Sequence, residues 1–351
     1  MASPPLTTAI LGLNEGGRRL LKAAAATGHF QIKAVADQDP QKVEKAATEY
    51  GCEAYSDYRR LIVQNQLDCL LVAAETHTCD EQVKAALRKK FHVLKLAPPA
   101  RTFAEALEYV QLAESEKVRF AIGNPARFKT CYRTARDLLA RDGIEPVFLI
   151  TAHCRSGSTD RPVWQNDPKL AGGGVLLHDC YSLVDQILWS FPLPEQVYAL
   201  AANQAPDKQQ RLYLTEDTAV VSMRFSDAFM ANLVATRRNE IGPNQVKIEI
   251  HGRQARLAIT ENEVAWETPA GRDNQKWHYD EEEQVALERL LSSFAESVLA
   301  PEQPLASSAA ENLRNMAVLE SAYLSARTGF PEEPARILQL AGNLARPPAS
   351  I

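Results

Sequence analysis

The chain has 351 residues, 45% of them hydrophobic and 24% charged, with a formal net charge of −5. That length exceeds one ordinary core and implies two domains. The charge balance leaves no basic footprint for nucleic acid, and no apolar run reaches the ~20 residues that span a bilayer.

The first predicted elements open a βαβ unit. In Thr7-Thr-Ala-Ile-Leu-Gly-Leu-Asn-Glu-Gly-Gly17 an apolar strand ends at Leu11 and a glycine turn leads into an Ala/Leu-rich helix that stops at Gly28. A second strand, Gln31-Ile-Lys-Ala-Val-Ala-Asp37, closes on an acid, about 20 residues after Gly17, as a dinucleotide fold requires. There the acid binds the adenosine ribose and disfavours the 2′-phosphate of NADP, so NAD is the expected cofactor. Gly12 and Gly17 hold the first and third glycine positions of the fingerprint. Asn14 holds the second, where the backbone approaches the pyrophosphate, and Glu15 brings negative charge to the phosphate end of the helix. Weak NAD binding is the expectation. Arg18 and Arg19 either offset Glu15 or form a solvent face.

Asp39-Pro40 reads as a cap followed by proline at the first helical position, opening a helix that ends near Gly51. A strand at 53–55, a helix at 58–64, an unbroken apolar strand at 67–74, a helix at 79–90 and a strand at 92–96 follow. Thr102 and Glu105 form a capping box for a helix to about 116, and a strand at 118–122 ends the alternation. This pattern predicts a doubly wound parallel sheet.

Beyond 123 the pattern changes. A helix at 132–141 precedes strands with two-residue alternation at 146–153, 196–202, 217–225, 229–236, 246–251 and 255–259. Short turns between successive strands predict antiparallel pairing. Gly172-Gly-Gly174 opens a helix to Trp189, and long helices are predicted at 281–300 and 308–328, the last with a Ser308/Glu311 capping box and Gly329 at its end. The fold class is therefore α/β: an N-terminal Rossmann sheet plus a C-terminal α+β domain with a large, mostly antiparallel sheet. The expected boundaries are 1–123, 124–342 and a loose tail at 343–351. Ser3-Pro4-Pro5 leads straight into the first strand without a signal-peptide core. Six scattered cysteines with no Cys-x-x-Cys pair predict reduced thiols of a cytoplasmic protein and no metal site.

Several segments, in this order and spacing, resemble the Gfo/Idh/MocA oxidoreductases over nearly the whole chain. They are Ala34-Val-Ala-Asp-Gln-Asp-Pro40, Tyr55-Ser-Asp-Tyr58, His92-Val-Leu94 with Pro98-Pro-Ala-Arg-Thr102, and Trp164-Gln-Asn-Asp-Pro168. Ala171-Gly-Gly-Gly-Val-Leu-Leu177, Ile248-Glu-Ile-His-Gly252 and Leu324-Ser-Ala-Arg-Thr-Gly329 complete the set. The resemblance implies NAD-dependent chemistry on a sugar, polyol or related compound held between the domains, and a homodimer or homotetramer built through the C-terminal sheet.

The resemblance also places the family's site positions, and here the chain departs. The Glu-Lys-Pro signature falls on Leu96, Ala97 and Pro98, so the lysine is absent. Lys95, two residues before Ala97 on the same strand face, either extends its ammonium toward the missing lysine's place or, the preferred reading, snorkels at the sheet edge. The aspartate and histidine after the glycine triplet fall on His178 and Ser182, expected one helical turn apart on one face. His178 is then the candidate general base, its ordinary pKa being near neutral, and Asp179 either orients its ring or faces elsewhere. Ala74, ending the fourth strand, is a cofactor-binding candidate, and His77 falls in the loop after it, where the family contacts the nicotinamide-side ribose, or else caps that loop. Trp164 lines the cleft or packs beneath the glycine turn. Two functions follow: an NAD-dependent oxidoreductase with altered catalytic residues, or a catalytically degenerate NAD- or small-molecule-binding regulator or partner of the same fold.

Overall fold

The computed structural model describes residues 4–141, 144–157, 162–203, 214–237, 244–269, 271 and 273–344. The chain divides into two compact units, one comprising Met1–Ala100, Ala104–Phe128 and Glu282–Asn312. Its sheet contains β1 (Leu6–Leu11), β2 (Phe30–Ala36), β3 (Glu53–Tyr55), β4 (Cys69–Val72), β5 (His92–Leu96) and β6 (Phe120–Gly123). They run parallel in the order β3-β2-β1-β4-β5-β6. The order reverses between β1 and β4, the switch point at which such sheets bind ligands. All four residues of β4 are buried, as expected for a parallel strand covered on both faces.

Helices α1 (Glu15–Thr27), α2 (Pro40–Tyr50), α3 (Tyr58–Gln64), α4 (Asp80–Arg88) and α5 (Phe103–Glu116) connect these strands. Their ends follow local chemistry. Asp39 caps α2 with Pro40 at its first turn, and Gly28 and Gly51 end α1 and α2 in the left-handed region.

The expected boundary gave 124–342 wholly to the second domain, whereas residues 282–312 pack with the first unit. The cause is an apolar stripe on the helix Glu283–Leu299. Leu287, Leu290, Leu291 and Phe294 share one core with Leu20, Leu21, Ala23 and Ala24 of α1, and their spacing is that of one helical face.

The second unit comprises Arg101–Phe103, Lys129–Glu281 and Leu313–Ile351. Its helices are α6 (Thr130–Leu139), α7 (Pro168–Ala171), α8 (Val175–His178) and α9 (Tyr181–Ser190). Its sheet is built of β7 (Val147–Arg155), β8 (Gln196–Ala202), β9 (Thr218–Ser226), β10 (Phe229–Thr236), β11 (Gln245–Gly252), β12 (Arg256–Thr260), β13 (Glu263–Glu267) and β14 (Gln275–His278). The order is β14-β13-β12-β11-β7-β10-β9-β8. Neighbours are antiparallel except β7 and β10, which are separated by a long crossover that returns the chain in the same sense.

Alternation decides the faces. In β9, Ala219, Val221, Met223 and Phe225 are buried while Val220, Ser222 and Arg224 are exposed. The inner rows meet α6, α8 and α9, and a narrow apolar gap remains among Tyr132, Ile187, Ile250 and Ile259. β13 and β14 lie beyond the predicted strands. Gln275, Lys276 and His278 leave β14 too polar to stand out as a strand.

The Glu283–Leu299 helix is α10, followed by α11 (Ala309–Thr328) and α12 (Pro334–Leu344). Of the expected loose tail 343–351, residues 345–351 lie outside the described residues, and Asn343 and Leu344 end α12. The six cysteines are free. Among the described residues no helix is long and apolar enough to cross a membrane, and no group of three or more His, Cys, Asp or Glu side chains could hold a metal ion.

Candidate functional site

In the first unit the site begins where β1 turns into α1. Gly12 has φ 91, and a Cβ there would lie 2.4 Å from the Ala74 nitrogen. A Cβ on Gly17 would lie 1.9 Å from the Gly12 carbonyl oxygen. Both glycines are thus demanded by close backbone approach.

Asp37, at the end of β2, is 8% exposed. Its carboxylate accepts the Leu13 N–H at 2.6 Å and the Asp39 N–H at 2.9 Å, which ties the acid to the glycine turn. Each carboxylate oxygen keeps a further lone pair, so this turn and acid fit the ribose and pyrophosphate of a dinucleotide.

Asn14, at the second glycine position, is the N-cap of α1. Its Oδ1 accepts the Gly17 N–H at 2.9 Å and its Nδ2 donates to the Ala73 carbonyl at 2.7 Å. The substitution therefore exchanges one anion-binding amide for a helix cap. Glu15 is paired with Arg19, which also bridges to Glu283, so of the two neighbouring arginines Arg19 offsets it.

Ala74 is buried and its N–H donates to the Leu11 carbonyl at 2.9 Å. His77 is half-buried in the loop before α4. Thr76 between them is a residue that sequence reasoning passes over. It is 5% exposed and its buried hydroxyl has no hydrogen-bond partner, an arrangement that costs stability unless a ligand or water completes it. Leu96 lies beside the glycine turn, its Cδ1 3.3 Å from where a Gly16 Cβ would stand, and the Ala97 N–H donates to the Gly123 carbonyl at 3.1 Å.

Lys95 corrects an expectation. It does not snorkel: it is 2% exposed, and its Nζ donates to the Pro98 carbonyl at 2.8 Å. β5 lies between β4 and β6, so no sheet edge is within reach. Burial pulls its pKa below the usual lysine value, against the opposing pull of Cys79 and Glu105.

In the second unit the glycine triplet organises the site. The single helix expected from the triplet to Trp189 is instead broken at Asp179 and Cys180, between α8 and α9. Ser182 lies beyond that break and is half-buried, so it does not follow His178 by one unbroken turn.

The glycines have a steric cause. Gly172 has φ 77, and a Cβ there would lie 2.3 Å from the Arg101 carbonyl oxygen. A Cβ on Gly173 would meet the Tyr323 hydroxyl at 2.1 Å, and one on Gly174 the Glu216 carbonyl oxygen at 1.9 Å. The Glu216 carboxylate accepts the N–H groups of Gly174 at 2.7 Å and Leu176 at 3.0 Å, and the Tyr323 hydroxyl at 2.9 Å. Burial pushes the Glu216 pKa up, and these hydrogen bonds oppose the shift.

His178 ends α8. Its Nε2 donates to the Ala171 carbonyl at 3.0 Å, and the Trp164 ring stands edge-on, 5.6 Å between centroids. Trp164 thus packs on the imidazole beside the glycine turn. The Asp179 carboxylate accepts from Arg237 Nε at 2.9 Å, and its main-chain carbonyl lies 3.7 Å from the Cys154 sulfur. Glu216, Tyr323 and Arg237 were not found from the sequence. They reach the triplet turn from just before β9, from a helix and from just after β10, far along the chain, and no local pattern marks them.

Comparison with known proteins decides the family. Residues 6–124 match the description "Oxidoreductase family, NAD-binding Rossmann fold" of GFO/IDH/MocA, and residues 132–258 match the GFO/IDH/MocA C-terminal domain. The chain belongs to the GFO/IDH/MocA family. Its first unit carries the NAD-binding Rossmann fold of that oxidoreductase family.

Among relatives, it is 22% identical over 303 residues to the uncharacterized oxidoreductase YrbE of Bacillus subtilis, covering 84% of this chain and 86% of that one. It is 25% identical over 250 residues to 1,5-anhydro-D-fructose reductase of Ensifer adhaerens, covering 68% and 70%. Among solved structures, a levoglucosan dehydrogenase in complex with NADH and levoglucosan superposes with a TM-score of 0.85 at 16% identity, over 94% of this chain and 99% of that one. An Agrobacterium radiobacter oxidoreductase in complex with NAD+, L-tartaric acid and magnesium gives 0.83 at 17%, over 95% and 99%. Both confirm the fold of this GFO/IDH/MocA member.

Proposed function

We propose that this oxidoreductase acts on a hydroxyl or carbonyl carbon of a sugar, polyol or related compound, with His178 handling the proton. The observation that carries the reading is the mounting of His178 on the glycine triplet; the resemblance puts it where the family keeps its proton-handling acid. The sugar reductase among its relatives supports the substrate class.

Asp37 would hold the adenosine ribose, and the turn Gly12, Leu13, Asn14 and Gly17 the pyrophosphate. Ala74, His77, Leu96 and Ala97 would line the nicotinamide end. NAD, when bound, accepts or returns the hydride. The remaining work falls to side chains of this chain. A carbonyl oxygen only accepts, so the bond to Ala171 fixes the proton on Nε2 and leaves Nδ1 as the basic nitrogen of the neutral ring. His178 takes the hydroxyl proton on oxidation and returns it on reduction. Trp164 and the Ala171 carbonyl hold the ring, while Ser182 and Asp179 are secondary candidates. Free thiols throughout suit a cytoplasmic setting.

One observation favours a second reading. Lys95, the nearest lysine in sequence to Ala97, which the resemblance puts at the lysine position, is buried on the Pro98 carbonyl. An NAD- or small-molecule-binding regulator or partner subunit has no need of that ammonium. A panel of sugars, polyols and inositols assayed by NADH absorbance tests the choice. Turnover supports the enzyme with His178. Thermal stabilisation by NAD without turnover on any substrate supports the binding protein.

A homodimer or homotetramer through the outer face of the eight-stranded sheet completes the proposal. Leu200, Val220 and Val234 lie side by side across β8, β9 and β10. Leu200 is 61% exposed, and Met230, two rows along the same face, is 53% exposed, apolar surface that association would cover. Met223 and Leu233 belong to the buried inner face and take no part.

A further inference from the structure

We infer that Glu216, with Tyr323, is the positioning residue for His178, an inference that rests on the proton-handling role proposed above. Glu216 is 9% exposed, so its carboxylate is withdrawn from solvent. A buried carboxylate is costly unless hydrogen bonds satisfy it, and three donors that reach this one belong to the His178 mount. Two are amides of the turn on either side of Val175, Gly174 N–H at 2.7 Å and Leu176 N–H at 3.0 Å. The third is the Tyr323 hydroxyl at 2.9 Å.

The main chain of Glu216 joins in, its carbonyl accepting the Val175 N–H at 3.0 Å. Residues 174, 175 and 176 are thus pinned to one residue, two positions before His178. The short helix α8 has too few turns to hold itself, so its orientation is set by this clamp at one end. At the other end Arg237 holds Asp179 at 2.9 Å. The glycines are the counterpart of the clamp: at 173 and 174 any Cβ would strike Tyr323 or Glu216. Glu216 acts through the turn and touches no reacting atom.

The test compares Glu216→Gln and Tyr323→Phe with wild type in the full-length protein. Glutamine presents an NH2 to an N–H donor and so loses one of the two amide bonds. Phenylalanine leaves both amides bound and removes only the hydroxyl. The first readout is the imidazole NMR cross peak of His178, assigned by its loss in His178→Ala and displaced by the ring current of Trp164.

In Glu216→Gln that peak is expected to move and kcat to fall by about 10²-fold, the cost of a small misplacement, while KM for NAD is unchanged. Tyr323→Phe moves both less, in the same direction. An unmoved peak and unchanged kcat in Glu216→Gln overturn the inference. If that variant does not fold, Tyr323→Phe decides alone by the same two readouts. Absence of turnover in wild type would sink the proposed chemistry and leave the NMR comparison to judge the mount by itself.

Discussion

Asp37 shows how far a single residue can be read. Its place at the end of an apolar strand, after a glycine turn, is visible in sequence, and the structure adds the bonds from Leu13 and Asp39 that aim it. Asn14 is harder, because a residue that replaces a glycine can fill the phosphate site or turn away, and spacing cannot distinguish these. Here it turns into a helix cap. Lys95 misled for a related reason: strand parity gives the face of a side chain and says nothing of whether a buried acceptor such as the Pro98 carbonyl awaits it. The Asp37 assignment predicts that NAD binds more tightly than NADP. Asp37→Ala should weaken NAD by about 1.5–3 kcal/mol, the worth of hydrogen bonds to a charged group, roughly ten- to hundredfold in Kd, with less loss for NADP. Calorimetric titration of both cofactors checks this, and an unchanged preference would remove Asp37 from the ribose site.

At the scale of elements, the parallel strands and their helices were legible because apolar runs and caps are local signals. Strands 196–202 and 229–236 fall where alternation placed them. The break between α8 and α9 was not legible, since Val175 to Trp189 carries no proline or glycine to mark it. Nor was Glu216, whose partners Gly174 and Leu176 lie some 40 residues upstream. The same geometry separates two kinds of glycine. Gly28 has φ 71 with open space around a Cβ, whereas Gly174 has an ordinary negative φ and no room. Gly28→Ala should therefore cost about 1–2 kcal/mol, the left-handed penalty. Gly174→Ala should cost at least as much as overpacking does, about 1–3 kcal/mol, and should also disturb His178. Thermal unfolding and the His178 NMR peak check the pair. A Gly174→Ala protein with wild-type stability and an unmoved peak would contradict the steric account.

At the scale of the whole molecule, two domains and their fold classes were legible from the change of pattern near 123. The assignment of 282–312 to the first unit was not, because an amphipathic helix declares an apolar stripe and does not name the surface that covers it. The outer face of the large sheet poses the same question outside the chain. Leu200→Glu with Val220→Lys should leave the fold intact and shift light-scattering mass to the monomer. Wild-type protein that is already monomeric at micromolar concentration would refute the assembly. The central claim is that this family member turns over a sugar-like substrate through His178. The most direct measurement is NADH formation or consumption by wild type and His178→Ala across the substrate panel, alongside NAD binding by both. The expected result is a loss of about 10²–10⁴-fold in kcat, typical of removing a general acid or base, with NAD affinity preserved. Equal turnover by both proteins would contradict it.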